Sequence, residues 1–190
     1  MQGSGMGVAA VGGAAECDCE GVSSTSVAIK GVSMSLPLGV AAVDAVHRMS
    51  HCGIDALSEI PPTRWDLELA LRHLGDVAAE VSGRVRHGGF MNGAELFEHG
   101  FFSISAAEAS AMDPQQRQLL ERGYSALHAS GASKGSLLGT VVGVSVGQWA
   151  SEFGTSIMGA PAGSSVYVST GFTCSVTCGR VSFVLGLHGP

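Results

Sequence analysis

The segment MDPQQRQLLERGYSALHASG, residues 112–131, constrains the fold most, because it specifies both ends of one helix. Asp113 is a preferred N-cap residue, and Pro114 suits the first helical position, where a backbone N–H is not needed. Gln116 lies three residues after the cap and can reach back to the backbone of the cap residue. Gly131 predicts a left-handed C-cap. The sequence therefore predicts a helix between Asp113 and Gly131.

A second helix start precedes this segment, and an apolar stripe runs along the long helix. Ser105-Ala106-Ala107-Glu108 has the pattern of a capping box, in which the Ser and Glu side chains each bind a free backbone N–H. Gly123 in the long helix predicts that a neighbouring element packs closely against it. The stripe has helical spacing and predicts docking on a sheet; it consists of Leu119, Leu120, Tyr124 and Leu127.

Two short apolar runs predict strands. Val27 and Ile29 alternate with small or polar residues from Ser26 onward and lead into a turn at Pro37 and Gly39. The run GTVVGVSVG, residues 139–147, has no polar face, as expected for a strand covered on both sides. The alternation of these strands with helical segments predicts a layered α/β domain.

A short amphipathic helix is predicted after the first turn. Gly53 predicts its end, and its apolar positions are Val43, Val46 and Met49. His47 and His51 lie four residues apart beside Cys52, so the three could face one metal ion. No acidic or fourth ligand accompanies them, which favours solvated histidines on a helix face over a metal site.

The middle of the chain predicts extended and loop structure. Pro61 and Pro62 favour an extended segment over residues 58–66, with Trp65 in the core and Arg64 and Asp66 in water. Residues 67–83 have no clear pattern. Residues 88–105 are rich in glycine and predict a loop whose apolar side chains fill a core rather than line a substrate channel: Phe90, Leu96, Phe97, Phe101, Phe102 and Ile104. A last helix is predicted to face inward through Val176, Val181, Val184 and Leu185 and to end at Gly186, Gly189 and Pro190.

Composition excludes several classes of protein. The net charge is −6 and lysine and arginine form no cluster, which argues against a nucleic-acid partner. No apolar run approaches the roughly 20 residues that span a bilayer, so no membrane span is predicted. The five cysteines occur without a secretory signal and are interpreted as reduced thiols in the cytoplasm or in a plastid-like organelle.

Residues 1–25 are interpreted as a flexible leader rich in glycine and alanine, and they fit neither a signal peptide nor a transit peptide. Their glycines at residues 3–7 lack the preceding strand that a dinucleotide-binding loop requires. Cys17 and Cys19 are too close in sequence for a usual zinc-binding pair. No cofactor or metal site is predicted.

Four separated motifs carry a family resemblance: DALSEIPPTRWD, GGFMNGAELFEHGFFSIS, MDPQQRQLLERGYSALHASG and CSVTCGRVSFVLGLHGP. In order and spacing they resemble the N-terminal part of the β-ketoacyl synthase (ketosynthase) domains of polyketide and fatty acid synthases. The resemblance runs from about Val27 to Pro190. We therefore expect residues 26–190 to form a partial ketosynthase N-terminal domain that ends before the nucleophile motif of the family.

The resemblance implies a thiolase-like, layered αβαβα fold, of which this chain is the N-terminal portion, and a homodimer. It also implies decarboxylative Claisen condensation of an acyl group with a malonyl-type unit on acyl carrier protein. That chemistry needs a cysteine thiolate, amides that stabilise the oxyanion, and two histidines. In the family, the cysteine lies in a DTACSS-like stretch beyond the block that matches Leu187 to Pro190, and the histidines lie further downstream.

No catalytic residue is therefore assigned to this chain, which is predicted to be inactive alone. The resemblance places Cys174 and Cys178 in a helix of the family in which small residues pack against neighbours, so they are interpreted as buried structural thiols, which react weakly without a positive neighbour. Two hypotheses remain. The chain is either the front of a condensing enzyme, or a non-catalytic interaction or assembly protein whose partner covers the exposed edge of its sheet.

Overall fold

The computed structural model describes residues 26–75, 79–149 and 152–189. The predicted leader, its glycine run, Cys17 and Cys19 lie outside these residues. The described helices are α1 Val43–His51, α2 Leu67–Leu74, α3 Ala79–Arg84, α4 Ala106–Ala111, α5 Pro114–Ala129, α6 Lys134–Leu137, α7 Phe153–Met158, α8 Val168–Phe172 and α9 Cys174–Leu185. Strands β1 Ser58–Glu59 and β2 His87–Gly88 pair antiparallel, and Pro37–Gly39 and Pro161–Ser164 form 3-10 turns. None of the described helices has the length and apolar character needed to cross a bilayer.

Helix α5 confirms the predicted start and end. The side chain of Asp113 accepts a hydrogen bond from the N–H of Gln115 at 2.7 Å, and Pro114 occupies the first turn. Gly131 follows the helix with a φ of +93°, a left-handed conformation that glycine adopts without strain. The expected return of Gln116 to the cap does not occur, because its side chain binds α8 instead.

Helix α4 forms half of the predicted capping box. The Ser105 hydroxyl accepts a hydrogen bond from the N–H of Glu108 at 3.1 Å. The carboxylate of Glu108 does not bind the N–H of Ser105, because it pairs with Arg180 of α9. The local signal thus predicted the helix start, and a contact distant in sequence decided where the second side chain lies.

The main core lies where α5 and α9 meet the loop before α4. Its buried members are Phe102, Ile104, Ala109, Met112, Leu120, Leu137, Val181, Leu185 and Leu187. Tyr124, Leu127 and Val184 pack against it, as the apolar spacing of both helices predicts. A second cluster joins Ala111 of α4 to Ile157 of α7 and Val168 of α8. Helix α4 therefore contributes to both clusters.

The predicted apolar cluster after β2 is confirmed in part, because Phe102 and Ile104 are buried in the main core, whereas Leu96 is 69% exposed and its predicted burial is wrong. The rings of Phe97 and Phe102 stack at 5.5 Å between centroids, and Phe101 lies 4.9 Å from Tyr124 of α5. The ammonium of Lys134 donates to the carbonyl of Phe101 at 2.6 Å and lies over its ring. These contacts attach the loop after β2 to α5 and α6.

The two predicted strands are extended segments that join no sheet among the described residues, and the expected cover on both faces of residues 139–147 is wrong. Val27 is 93% exposed, and Val141 in the second segment is 83% exposed. From Thr140 to Gln148 partly buried and exposed residues alternate, and Val142 and Val144 pack on the main core. An apolar run predicts a strand covered on both faces only if further elements supply the second cover, and none of the described elements does so.

In the turn after β1, the burial of Trp65 and Arg64 is opposite to the prediction. Trp65 is 48% exposed, whereas Arg64 is partly buried and donates to the carbonyl of Met91 at 2.7 Å. Residues 67–83, which carried no clear pattern, contain α2 and α3. Asp66 is exposed as predicted, and its side chain caps α2 by accepting from the N–H of Leu69 at 3.0 Å. Asp66 followed by an apolar period is the signal that could have predicted α2.

Gly123→Ala in α5 should stabilise the protein by about 0.5 to 1 kcal/mol, because alanine loses less backbone freedom in a helix. A Cβ at this position would meet no atom within 4 Å, so the close neighbour predicted from the sequence is absent among the described residues. Urea unfolding of the variant and the parent would measure the difference. A loss of stability would show that a further segment packs against this glycine.

Candidate functional site

Helix α8 makes a close backbone contact with the corner between α4 and α5. A Cβ on Gly171 would lie 1.9 Å from the carbonyl oxygen of Ala111, so any larger residue would overlap the backbone. The carbonyl of Gly171 accepts a hydrogen bond from the N–H of Asp113 at 2.8 Å. Gly171 thus permits a backbone contact that fixes the end of α8 on this corner.

Two side chains cap the same end of α8. The amide of Gln116, which is fully buried, donates to the carbonyls of Thr170 and Thr173 at 3.2 and 3.4 Å. The guanidinium of Arg180 donates to the carbonyl of Thr170 at 3.5 Å and also pairs with Glu108. The last carbonyls of a helix lack partners within it and favour a positive charge nearby. We call this set, Glu108, Gln116, Thr170, Gly171 and Arg180, the α8 junction.

The junction is a buried polar network. The side chain of Arg180 is 8% exposed and that of Glu108 is 25% exposed, so water screens their attraction weakly. Gln116 Oε1, Arg180 Nε and Gln148 Nε2 are buried without partners among the described residues. Gln148 Oε1 accepts from the Thr177 hydroxyl at 2.6 Å and so links the extended segment to α9. The network fixes α9 against α4, α5, α8 and this segment.

The end of α9 sets the direction of the following residues. Gly186 ends the helix in a left-handed conformation, and its carbonyl accepts from the N–H of Gly139 at 2.7 Å. The N–H of His188 donates to the carbonyl of Thr140, also at 2.7 Å. Residues 186–188 therefore begin to run beside residues 139–140 in the same direction, the arrangement of a parallel crossover through helices.

Two groups away from the junction have shifted pKa values. The hydrogen bond and positive charge of Arg48 lower the pKa of the exposed Asp44 carboxyl. Burial lowers the pKa of the Arg117 guanidinium, whose Nη1 donates to the carbonyl of Glu95 at 3.2 Å.

The thiols lie differently from the prediction. Cys174, the first residue of α9, is exposed and Cys178 is half-buried, so the expectation of two buried structural thiols is wrong for Cys174. Cys174 lies in the first turn of α9, before the buried residues of this helix begin at Thr177. The rings of His47 and His51 stack on α1 at 6.3 Å, and no set of three metal-ligating side chains occurs within the described ranges. That no catalytic residue lies in this chain stays a prediction.

Solved structures with a similar fold are ketosynthase domains. A mutant form of the ketosynthase from module 6 of the bacillaene synthase of Bacillus subtilis 168 matches with a TM-score of 0.67 and 26% identity, over 86% of this chain and 25% of that chain. An oxazolomycin ketosynthase domain from Streptomyces albus matches with a TM-score of 0.60 and 25% identity, over 85% and 27%. The chain therefore has the thiolase-like ketosynthase fold, restricted to its N-terminal part.

Sequence comparison gives the same result. The pikromycin polyketide synthase component PikAII of Streptomyces venezuelae is 41% identical over 167 residues, which are 86% of this chain and 4% of that protein. The polyketide synthase GfsB of Streptomyces halstedii is 38% identical over 86% of this chain and 3% of its own length. The chain thus spans a small fraction of these relatives. Residues 24–190 match the family model for the β-ketoacyl synthase N-terminal domain, and the chain belongs to this family.

Proposed function

We propose that the chain forms the front of a ketosynthase domain that catalyses decarboxylative condensation in polyketide biosynthesis. The family match over residues 24–190 carries this proposal. The relatives named above are components of polyketide synthases, which favours the polyketide pathway over fatty acid synthesis.

The proposed reaction has two stages. A cysteine thiolate first takes the acyl group from a thioester. A malonyl-type unit on acyl carrier protein then loses carbon dioxide, and the resulting enolate attacks the acyl carbonyl, forming a β-ketoacyl thioester and releasing the cysteine. In the family the reacting cysteine and both histidines follow the block that matches residues 187–190. The present chain would hold α9 at the α8 junction and so fix where the following segment enters the sheet.

The proposal includes acyl carrier protein and a second ketosynthase subunit as partners, in the cytoplasm or a plastid. The alternative, a non-catalytic assembly protein with half of a synthase fold, has no observation in its favour, because the named relatives are synthases. The exposed faces of the two extended segments fit an incomplete domain whose other elements would cover them.

A condensation assay on the native product, meaning the protein purified from its natural source, tests the proposal. With an acyl thioester and malonyl-loaded acyl carrier protein, we expect release of carbon dioxide and a β-ketoacyl product on the carrier. Cys174→Ser should leave this rate within about twofold, since an isolated exposed thiol lacks a base and an oxyanion site. Absence of condensation by the native product, or its loss in Cys174→Ser, would contradict the proposal.

A further inference from the structure

A cleft of about 470 Å³ lies beside the turn that follows β1, on residues that the proposed condensation does not use. Its apolar wall is formed by Ile60, Pro62 and Trp65, and its carboxylates belong to Glu59, Asp66 and Glu68. Most of the lining residues come from β1, the turn and the start of α2, and Arg86, which precedes β2, completes the cleft.

The indole of Trp65 is held by a neighbouring ring and remains partly exposed to solvent. Its ring meets Phe90 at 6.0 Å between centroids with an angle of 68° between the planes. This contact holds the indole in place while nearly half of the residue stays exposed. An aromatic face held in this way attracts a cation through its ring electrons, and tryptophan does so best.

The charge of the cleft is negative. Arg86 pairs with Glu68 at 3.1 Å, which compensates one of the three carboxylates. Asp66 accepts the backbone N–H of Leu69 but keeps its formal charge, and Glu59 is exposed. Three carboxylates and one guanidinium leave two uncompensated negative charges beside an exposed indole.

We propose that this cleft binds an arginine side chain of a partner polypeptide. A guanidinium is planar, stacks on an aromatic face and presents a fork of donors that matches a carboxylate. A lysine ammonium is a compact, strongly hydrated charge that uses the indole and the apolar wall less well. The charge and the aromatic wall therefore select arginine, whether or not the chain takes part in condensation.

Fluorescence anisotropy with a labelled tri-arginine peptide tests this site on the native product. We expect saturable binding that is at least about threefold tighter than for tri-lysine and absent for tri-citrulline, which keeps the shape without the charge. Trp65→Ala and Glu59→Gln should each weaken binding about threefold to fivefold, as expected for one cation–π contact or one exposed ion pair.

Glu80→Gln provides the matched control, because Glu80 is an exposed carboxylate on α3 that does not line the cleft. It changes the net charge as Glu59→Gln does and should alter binding by less than about 1.5-fold. Equal losses in the two variants, equal binding of tri-citrulline or tri-lysine, or no binding of tri-arginine would each overturn the assignment. Glu59→Gln keeps the test decisive if Trp65→Ala fails to fold.

Discussion

Gly171→Ala should destabilise the protein by about 3 kcal/mol, at the upper end of the range for overpacking, because the new methyl group meets backbone that cannot rotate away. The Cβ would lie 1.9 Å from the Ala111 oxygen and 2.8 Å from its carbonyl carbon. Relief requires α8 to move off the corner, which also lengthens the hydrogen bond from Asp113 to Gly171. Urea unfolding measures the total effect, and hydrogen exchange of the Asp113 amide measures the local one.

Gly179→Ala is the control for this substitution. Gly179 lies in α9, where an added Cβ meets no atom within 4 Å, so alanine should stabilise by about 0.5 to 1 kcal/mol. The two variants add the same methyl group to neighbouring helices, and they should change the free energy of unfolding in opposite directions. Equal effects, or unchanged protection of the Asp113 amide in Gly171→Ala, would mean that α8 does not sit on this corner.

Glu108→Ala should cost about 3 kcal/mol, because it leaves the buried guanidinium of Arg180 without its counter-ion. The double variant Glu108→Ala with Arg180→Met removes the unpaired charge and should recover part of the loss. We therefore expect a double-mutant cycle with Arg180→Met to give a coupling energy between the two residues of about 2 kcal/mol or more.

The ion pair between Asp44 and Arg48 on α1 is exposed and serves as the comparison for the buried pair between Glu108 and Arg180. Its shortest distance is 2.6 Å, but both side chains are about two-thirds exposed. Water and salt should screen this pair, so the same cycle should give a much smaller coupling that falls further at high salt. Similar couplings at the two sites would contradict the view that burial gives the α8 junction its strength.

Local signals predicted the helix ends, because the residues that decide them are neighbours in sequence. Asp113, Pro114 and Gly131 set α5, and Gly186 ends α9 as predicted. The partners of Gln116 and Glu108 could not be predicted in the same way. Gln116 binds residues 54 and 57 positions away, and Glu108 binds a residue 72 positions away. Each side chain binds a segment that becomes its neighbour only after folding, and not the local backbone group that the sequence predicts.

The same reasoning explains the strands and the turn. Residues 139–147 have the composition of a covered strand, but pairing and cover depend on other elements, and Val141 stays exposed. Hydrophobicity alone predicted Trp65 inside and Arg64 outside, whereas Arg64 is partly buried because it donates to the carbonyl of Met91 and pairs with Glu95. The family could still be predicted, because four motifs in the correct order constrain identity more than any one burial pattern does.

Intact mass spectrometry of the protein purified from its natural source, before and after incubation with an acyl thioester, tests whether this chain is the front of a ketosynthase domain. We expect a mass well above 19.2 kDa and a gain of one acyl group on a cysteine that follows Pro190. A native mass of 19.2 kDa without an adduct, or an acyl group on Cys52, Cys174 or Cys178, would contradict it.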